Sequence, residues 1–144
     1  MKSTHKIWAV TAAAIFLSLH GAVQAEVVLV VHPGNPETRL SIEEVSDIYL
    51  GRSTVFPRGG KAVAVDQKDG TVAKGEFLAK VLKKDSGQYK SNWAKLIFSG
   101  KAVPPTVMSN DADVKSWIAR NPDGLGYIDK GAVDGSVKVL LSIP

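Results

Sequence analysis

Residues 1–25 decide how much chain is left to fold. Lys2, His5 and Lys6 make a basic start, Ile7–Leu19 (IWAVTAAAIFLSL) is a largely apolar run of 13 residues, and Val23-Gln24-Ala25 sets small residues at the −3 and −1 positions of a cleavage point before Glu26. This is the layout of a secretory signal peptide. The alternative is an uncleaved anchor helix, but the run falls short of the roughly 20 residues that cross a bilayer. Removing 25 of 144 residues leaves 119. That is one domain, 26–144, with enough chain for a single core and too little for two full lobes around a cleft.

Of the 18 basic residues, Lys2 and Lys6 leave with the leader, so 16 stand against 14 acidic ones, a balance of +2. A charge that small implies neither a nucleic-acid partner nor a membrane surface. No other segment is apolar enough to span a bilayer, so the mature chain is expected to be soluble, exported and periplasmic. With no cysteine, disulfides, thiol nucleophiles and cysteine-held metals are excluded.

Glu26–His32 (EVVLVVH) reads as a buried strand ended by the turn Pro33-Gly34-Asn35-Pro36. Ser41 caps a helix with Glu43 and Glu44 in its first turn and Ile42, Val45, Ile48 and Tyr49 on one face, up to Gly51. Arg52–Gly60 is a loop and Lys61–Asp66 (KAVAVD) a second strand. Val72–Lys84 is predicted as one helix with Phe77, Leu78, Val81 and Leu82 as its stripe. The next helix carries Tyr89, Trp93, Leu96 and Ile97, and Pro104-Pro105 is read as a rigid connection. Asn110 or Asp111 caps a helix bearing Val114, Trp117 and Ile118, and Gly124–Asp129 and Val137–Ile143 close the chain as strands. Trp93, Trp117 and Tyr127 read as core residues. The alternation points to an α/β, three-layer domain with a mixed or largely parallel sheet.

Catalytic equipment is missing. His32 is the single histidine of the mature chain, no serine sits in a Gly-x-Ser-x-Gly elbow, and no dinucleotide or Walker fingerprint is present. No catalytic residue, metal ligand or cofactor is assigned, and the chain is read as a non-enzyme.

Oxyanion binding needs less. Asp66–Thr71 (DQKDGT), between the second strand and the Val72 helix, joins a glycine-containing turn to a helix start, where unpaired N–H groups and the helix dipole favour an anion. Gly70 permits close approach, Thr71 offers a hydroxyl, Gln67 and Lys68 offer side-chain donors, and Asp69 can accept the proton of hydrogen phosphate. The plain alternative is that Asp69 or Thr71 only caps the helix.

Four segments then carry a resemblance: Leu40–Gly51 (LSIEEVSDIYLG), Ala62–Thr71 (AVAVDQKDGT), Trp93–Lys101 (WAKLIFSGK) and Asn121–Lys130 (NPDGLGYIDK). Together they resemble the phosphate-type, PstS-like substrate-binding proteins of ABC transporters, and in particular their short one-lobe members. The resemblance spans about Leu40–Leu140. It implies a single α/β/α lobe of the type II periplasmic-binding-protein fold. It also implies phosphate or a similar small oxyanion as ligand, at Gln67, Lys68, Asp69, Gly70 and Thr71. In that family's Arg-Ser-Asp-Gly-Ser-Gly-Thr turn, Asp69 and Gly70 match and Thr71 keeps a hydroxyl, whereas Gln67 replaces the arginine, Val72 the second glycine and Ala73 the threonine. Without the planar guanidinium fork the contact is expected to be weak, and tight binding would need a second lobe from a homodimer or another protein. The other reading is an interaction protein that has lost phosphate binding and meets a membrane sensor or ABC-transporter component, through the face around Arg52–Arg58, which includes Phe56, and Gln67–Thr71.

The leader gives a direct test. Intact-mass measurement of protein recovered after export should give a chain beginning at Glu26; a mass that includes residues 1–25 would return the anchor-helix alternative.

Overall fold

The computed structural model describes residues 25–144, so all of the expected leader but Ala25 lies outside the described residues. Five strands form one mixed sheet in the order β3-β2-β4-β1-β5. β1 is Val27–Val31, β2 Val63–Gln67, β3 Thr106–Met108, β4 Gly124–Asp129 and β5 Lys138–Ile143. β2 runs parallel to β3 and β4, while β1 runs antiparallel to β4 and β5. All five β1 residues are buried. Val27, Leu29 and Val31 face one core cluster and Val28 and Val30 another. A strand apolar on both sides must lie between two covering layers.

Those layers are unequal. One face is covered by α1 (Ile42–Tyr49), α2 (Val72–Phe77), a π-helical turn (Leu78–Leu82) and α3 (Ser86–Phe98); the other chiefly by α4 (Asp111–Ala119). The three-layer lobe with a mixed sheet expected from the sequence is therefore present. In α1 the Ser41 hydroxyl accepts from the Glu44 N–H and the Glu44 carboxylate accepts from the Ser41 N–H, a full capping box. α4 is capped by Asn110.

Several expectations change in detail. The predicted Val72–Lys84 helix is two pieces, because five residues of π-helix follow α2 and Lys83 ends them with a left-handed φ of 54°. β3 was not anticipated: only three residues long, it carries too little pattern to be read after Pro104-Pro105. Phe56 is packed beneath its loop at 2% exposure, which removes it from any open face. Trp93 is buried as expected, whereas Trp117 is half-buried.

The glycines of GLGYID have a packing cause. A Cβ on Gly126 would lie 2.6 Å from Val114 Cγ1, and one on Gly124 would lie 2.5 Å from the Trp117 ring. Bare backbone at both positions lets α4 sit directly on β4. Gly126→Val should therefore lower stability by about 1–3 kcal/mol, the usual penalty of overpacking, read as a reduced urea midpoint with the slope unchanged; an unaltered midpoint would show that α4 does not press on β4.

Candidate functional site

The chain leaves β2 toward β3 on one side, by way of α2 and α3, and returns through α4 to β4 on the other. In open parallel sheets a crevice forms at the carboxyl ends of strands where connections diverge in this way, and ligands bind there. Here β2 and β4 pair only at Val63–Gly124 and Ala64–Leu125. Beyond that they separate, and side chains of the protein itself complete the ladder. Tyr49 Oη donates to Val65 O at 2.7 Å. Gln67 N donates to Tyr127 Oη at 3.1 Å, and Gln67 Nε2 to Tyr127 O at 2.9 Å.

Asp66 is the centre of the filled crevice. Its Oδ1 accepts from Gln67 N at 2.8 Å and from Tyr127 Oη; its Oδ2 accepts from Lys74 Nζ at 2.6 Å and Tyr89 Oη at 3.0 Å. The Lys74 and Asp66 side chains are only 6% and 4% exposed. Lys74 Nζ also lies 4.5 Å from the Tyr89 ring centroid, a cation–π contact. The Phe77 ring stacks on Tyr127 at 4.0 Å beneath the cluster. A buried carboxylate with four donors is satisfied and holds its neighbours in place.

The turn over this cluster carries the residues singled out in the sequence, and it divides their roles. Gln67 is buried, with its amide directed to Asp111 Oδ1 at 2.7 Å and to Tyr127 O. It braces the turn from below instead of facing outward. Thr71 Oγ1 accepts from Lys74 N at 3.2 Å and so caps α2. Asp69 pairs with Lys90 at 2.7 Å, and that hydrogen bond holds its carboxyl below the usual range. Lys68 and Gly70 are exposed. Gly70 has φ +92° and nothing within 4 Å of a Cβ built on it, a conformation that favours glycine. Among the described residues, the N–H groups of Asp69, Gly70, Val72 and Ala73 have no acceptor.

The turn stands between two open clefts. One, of about 640 Å³, runs from Asp69–Thr71 to Lys83–Ser86. The other, of about 400 Å³, lies among Lys68, Tyr89, Trp93, Ile97 and Val107. No cluster of three potential metal ligands occurs among the described residues, and none of their helices is long and apolar enough to cross a membrane.

Sequence reasoning missed Asp66, Lys74 and Tyr89 as a unit. A signal was present: Lys74 lies three and four residues before Phe77 and Leu78, on the apolar stripe of its helix, where a lysine needs a buried partner.

With this geometry the fold is that of one lobe of the PstS-like periplasmic binding proteins. Solved structures of phosphate receptors match 81% of the chain. A protein from Clostridium perfringens, assigned as a phosphate ABC transporter substrate-binding protein and solved with phosphate bound, aligns with TM-score 0.65 and 23% identity. An ABC-type phosphate transport receptor from Vibrio cholerae gives 0.66 and 23%, and PstS from Borrelia burgdorferi 0.62 and 13%. The chain spans less than half of each, 45%, 47% and 47% respectively. No protein-family model matches the sequence, and no curated protein does.

The filled crevice makes a spectroscopic prediction. The chain has three tyrosines. Burial first, and the Asp66 charge second, push the Tyr49, Tyr89 and Tyr127 phenols well above the ordinary value. Folding therefore holds all three neutral, and the stability this represents is lost as pH rises above the unfolded tyrosine value of about 10. Absorbance at the tyrosinate band should stay flat in native protein beyond that pH and rise in one step with alkaline unfolding; a tyrosine that ionises while the far-UV spectrum is native would contradict the cluster.

Proposed function

We propose that this chain is an exported, non-catalytic solute-binding lobe that holds phosphate or a similar small oxyanion weakly at the turn Lys68–Thr71. A leader over 1–25, a single domain over 26–144 and a periplasmic location belong to the same reading. The observation that carries it is the set of N–H groups at Asp69, Gly70, Val72 and Ala73, left without acceptors around an open, left-handed Gly70. Lys68, exposed beside them, has no carboxylate partner among the described residues. The phosphate bound to the Clostridium perfringens relative supports the choice of anion.

The same geometry makes the contact weak. Asp66 and Asp69 already balance Lys74 and Lys90, so little net positive charge faces the ligand. Exposed ionic contacts typically contribute ~0–1 kcal/mol each, and a single lobe leaves half of the anion in water. A homodimer, or a lobe from another protein, would supply the missing cover.

One observation favours a second reading, an interaction protein meeting a transporter or membrane-sensor component without phosphate. The position of the family arginine is Gln67, and its amide is turned into the fold.

Thermal unfolding in millimolar phosphate separates the two. A site with a millimolar dissociation constant should add on the order of 0.5–1 kcal/mol at a few-fold excess of ligand, a rise of a few degrees in Tm that sulfate does not reproduce. Val72→Pro removes one N–H at a position where helices accept proline and should cut the rise without lowering Tm in buffer. Absence of any phosphate-specific rise would leave the second reading standing.

A further inference from the structure

The sheet ends at β3, and its outer edge is open. Lys68 N donates to Met108 O at 2.9 Å, so the Met108 backbone faces β2. Alternation along a parallel strand then turns the Val107 N–H and C=O away from the sheet. The side chains around this edge are apolar and exposed, Val107 58%, Ile97 53% and Val103 87%, and Phe98, next in sequence to Ile97, is 96% exposed. Pro104 and Pro105 form a ridge over Trp93 between two clefts, the one of about 400 Å³ that reaches Ile97 and Val107 and a second of about 390 Å³ that reaches Lys61, Lys101 and Val103.

The unpaired charge on this face is positive. Lys61, Lys68 and Lys101 are exposed and have no ion-pair partner among the described residues, while the acids nearby, Asp66 and Asp69, are already paired. We propose that this edge docks an extended segment of a partner protein in which carboxylates flank short apolar side chains. The segment adds to β3 as a further strand, through the Val107 N–H and C=O. Its apolar side chains enter the clefts on either side of the proline ridge and its carboxylates meet the lysines. Main-chain pairing supplies affinity and the alternate side chains supply selectivity. The prolines, which lack N–H groups, restrict pairing to Val107 and the residues after it and so set the register. A second copy of the chain would bring lysines against lysines, and a lipid surface would leave the directed backbone groups of Val107 unused. The inference does not depend on anion binding at the turn.

The probe is a labelled heptapeptide, Glu-Val-Thr-Val-Glu-Val-Glu, with blocked ends, followed by fluorescence anisotropy. It should bind at least about tenfold more tightly than its analogue with lysine in place of glutamate, about 1.4 kcal/mol in binding free energy, and added salt should weaken it. Val107→Asp, at an exposed position, should abolish binding with Tm unchanged. Val72→Pro, which alters the anion turn alone, should leave peptide binding intact, so failure of one proposal is separable from failure of the other. Equal affinity for the two peptides, or indifference to Val107→Asp, overturns the proposal. So does sedimentation showing a dimer that Val107→Asp dissociates, or Phe98-dependent binding to vesicles of equal parts phosphatidylglycerol and phosphatidylethanolamine in place of the peptide.

Discussion

A carboxylate buried where two strands part company is the constraint on which the rest of this lobe depends. β2 and β4 hold together for two residue pairs and then diverge, and Asp66 sits in the gap with Lys74, Tyr89, Tyr127 and the Gln67 N–H all donating to it. Each donor comes from a different place: α2, α3, β4 and β2 itself. The cluster thus fixes the angle at which two helices meet the sheet. Buried ion pairs are seldom more stabilising than a well-packed apolar alternative, but loss of one partner typically costs about 3–5 kcal/mol. Here the loss of Asp66 would leave a buried ammonium and two phenols without the carboxylate to which all three donate.

The crevice that such a sheet topology offers is occupied by the protein's own side chains, so the proposed anion would lie on the outer side of the turn, above Gly70. There it would meet backbone amides but no uncompensated buried cation. The Asp69–Lys90 pair, half exposed on both sides, adds orientation to the turn more than it adds charge. Under the proposed reading, affinity there would be limited by the geometry, even with the glycine and the helix start both in place.

How much of this could be read from residues alone followed from pattern length. α1 was legible because Ser41, Glu43 and Glu44 mark its start and four apolar residues mark its face. β1 was legible because five aliphatic residues in a row admit only a strand covered on both sides. Gly124 and Gly126 were recognised as part of a motif, although their reason, the close seat of Val114 and Trp117 on β4, appears only in three dimensions. β3 was invisible, since three residues cannot show a period. Gln67 is the last residue of β2 and Thr71 the cap of α2, on either side of the turn. Their hydrogen bonds run inward to Tyr127 and Asp111 and along the helix to Lys74, and nothing local in the sequence encodes that direction. The buried cluster escaped for the same reason: its members lie at 66, 74, 89 and 127, and only the fold brings them together.

The lobe does not need a second lobe for its core. Both faces of the sheet are covered, one by α1, α2 and α3 and the other by α4, and β1 is sealed between them. What a single lobe lacks is cover for the carboxyl-end face and for the β3 edge, and these are the places where open amides, unpaired lysines and exposed apolar side chains collect. The packing of the core and the two proposed binding surfaces are therefore separable here: the core is closed within the three layers, and the proposed surfaces draw on groups that the core does not use.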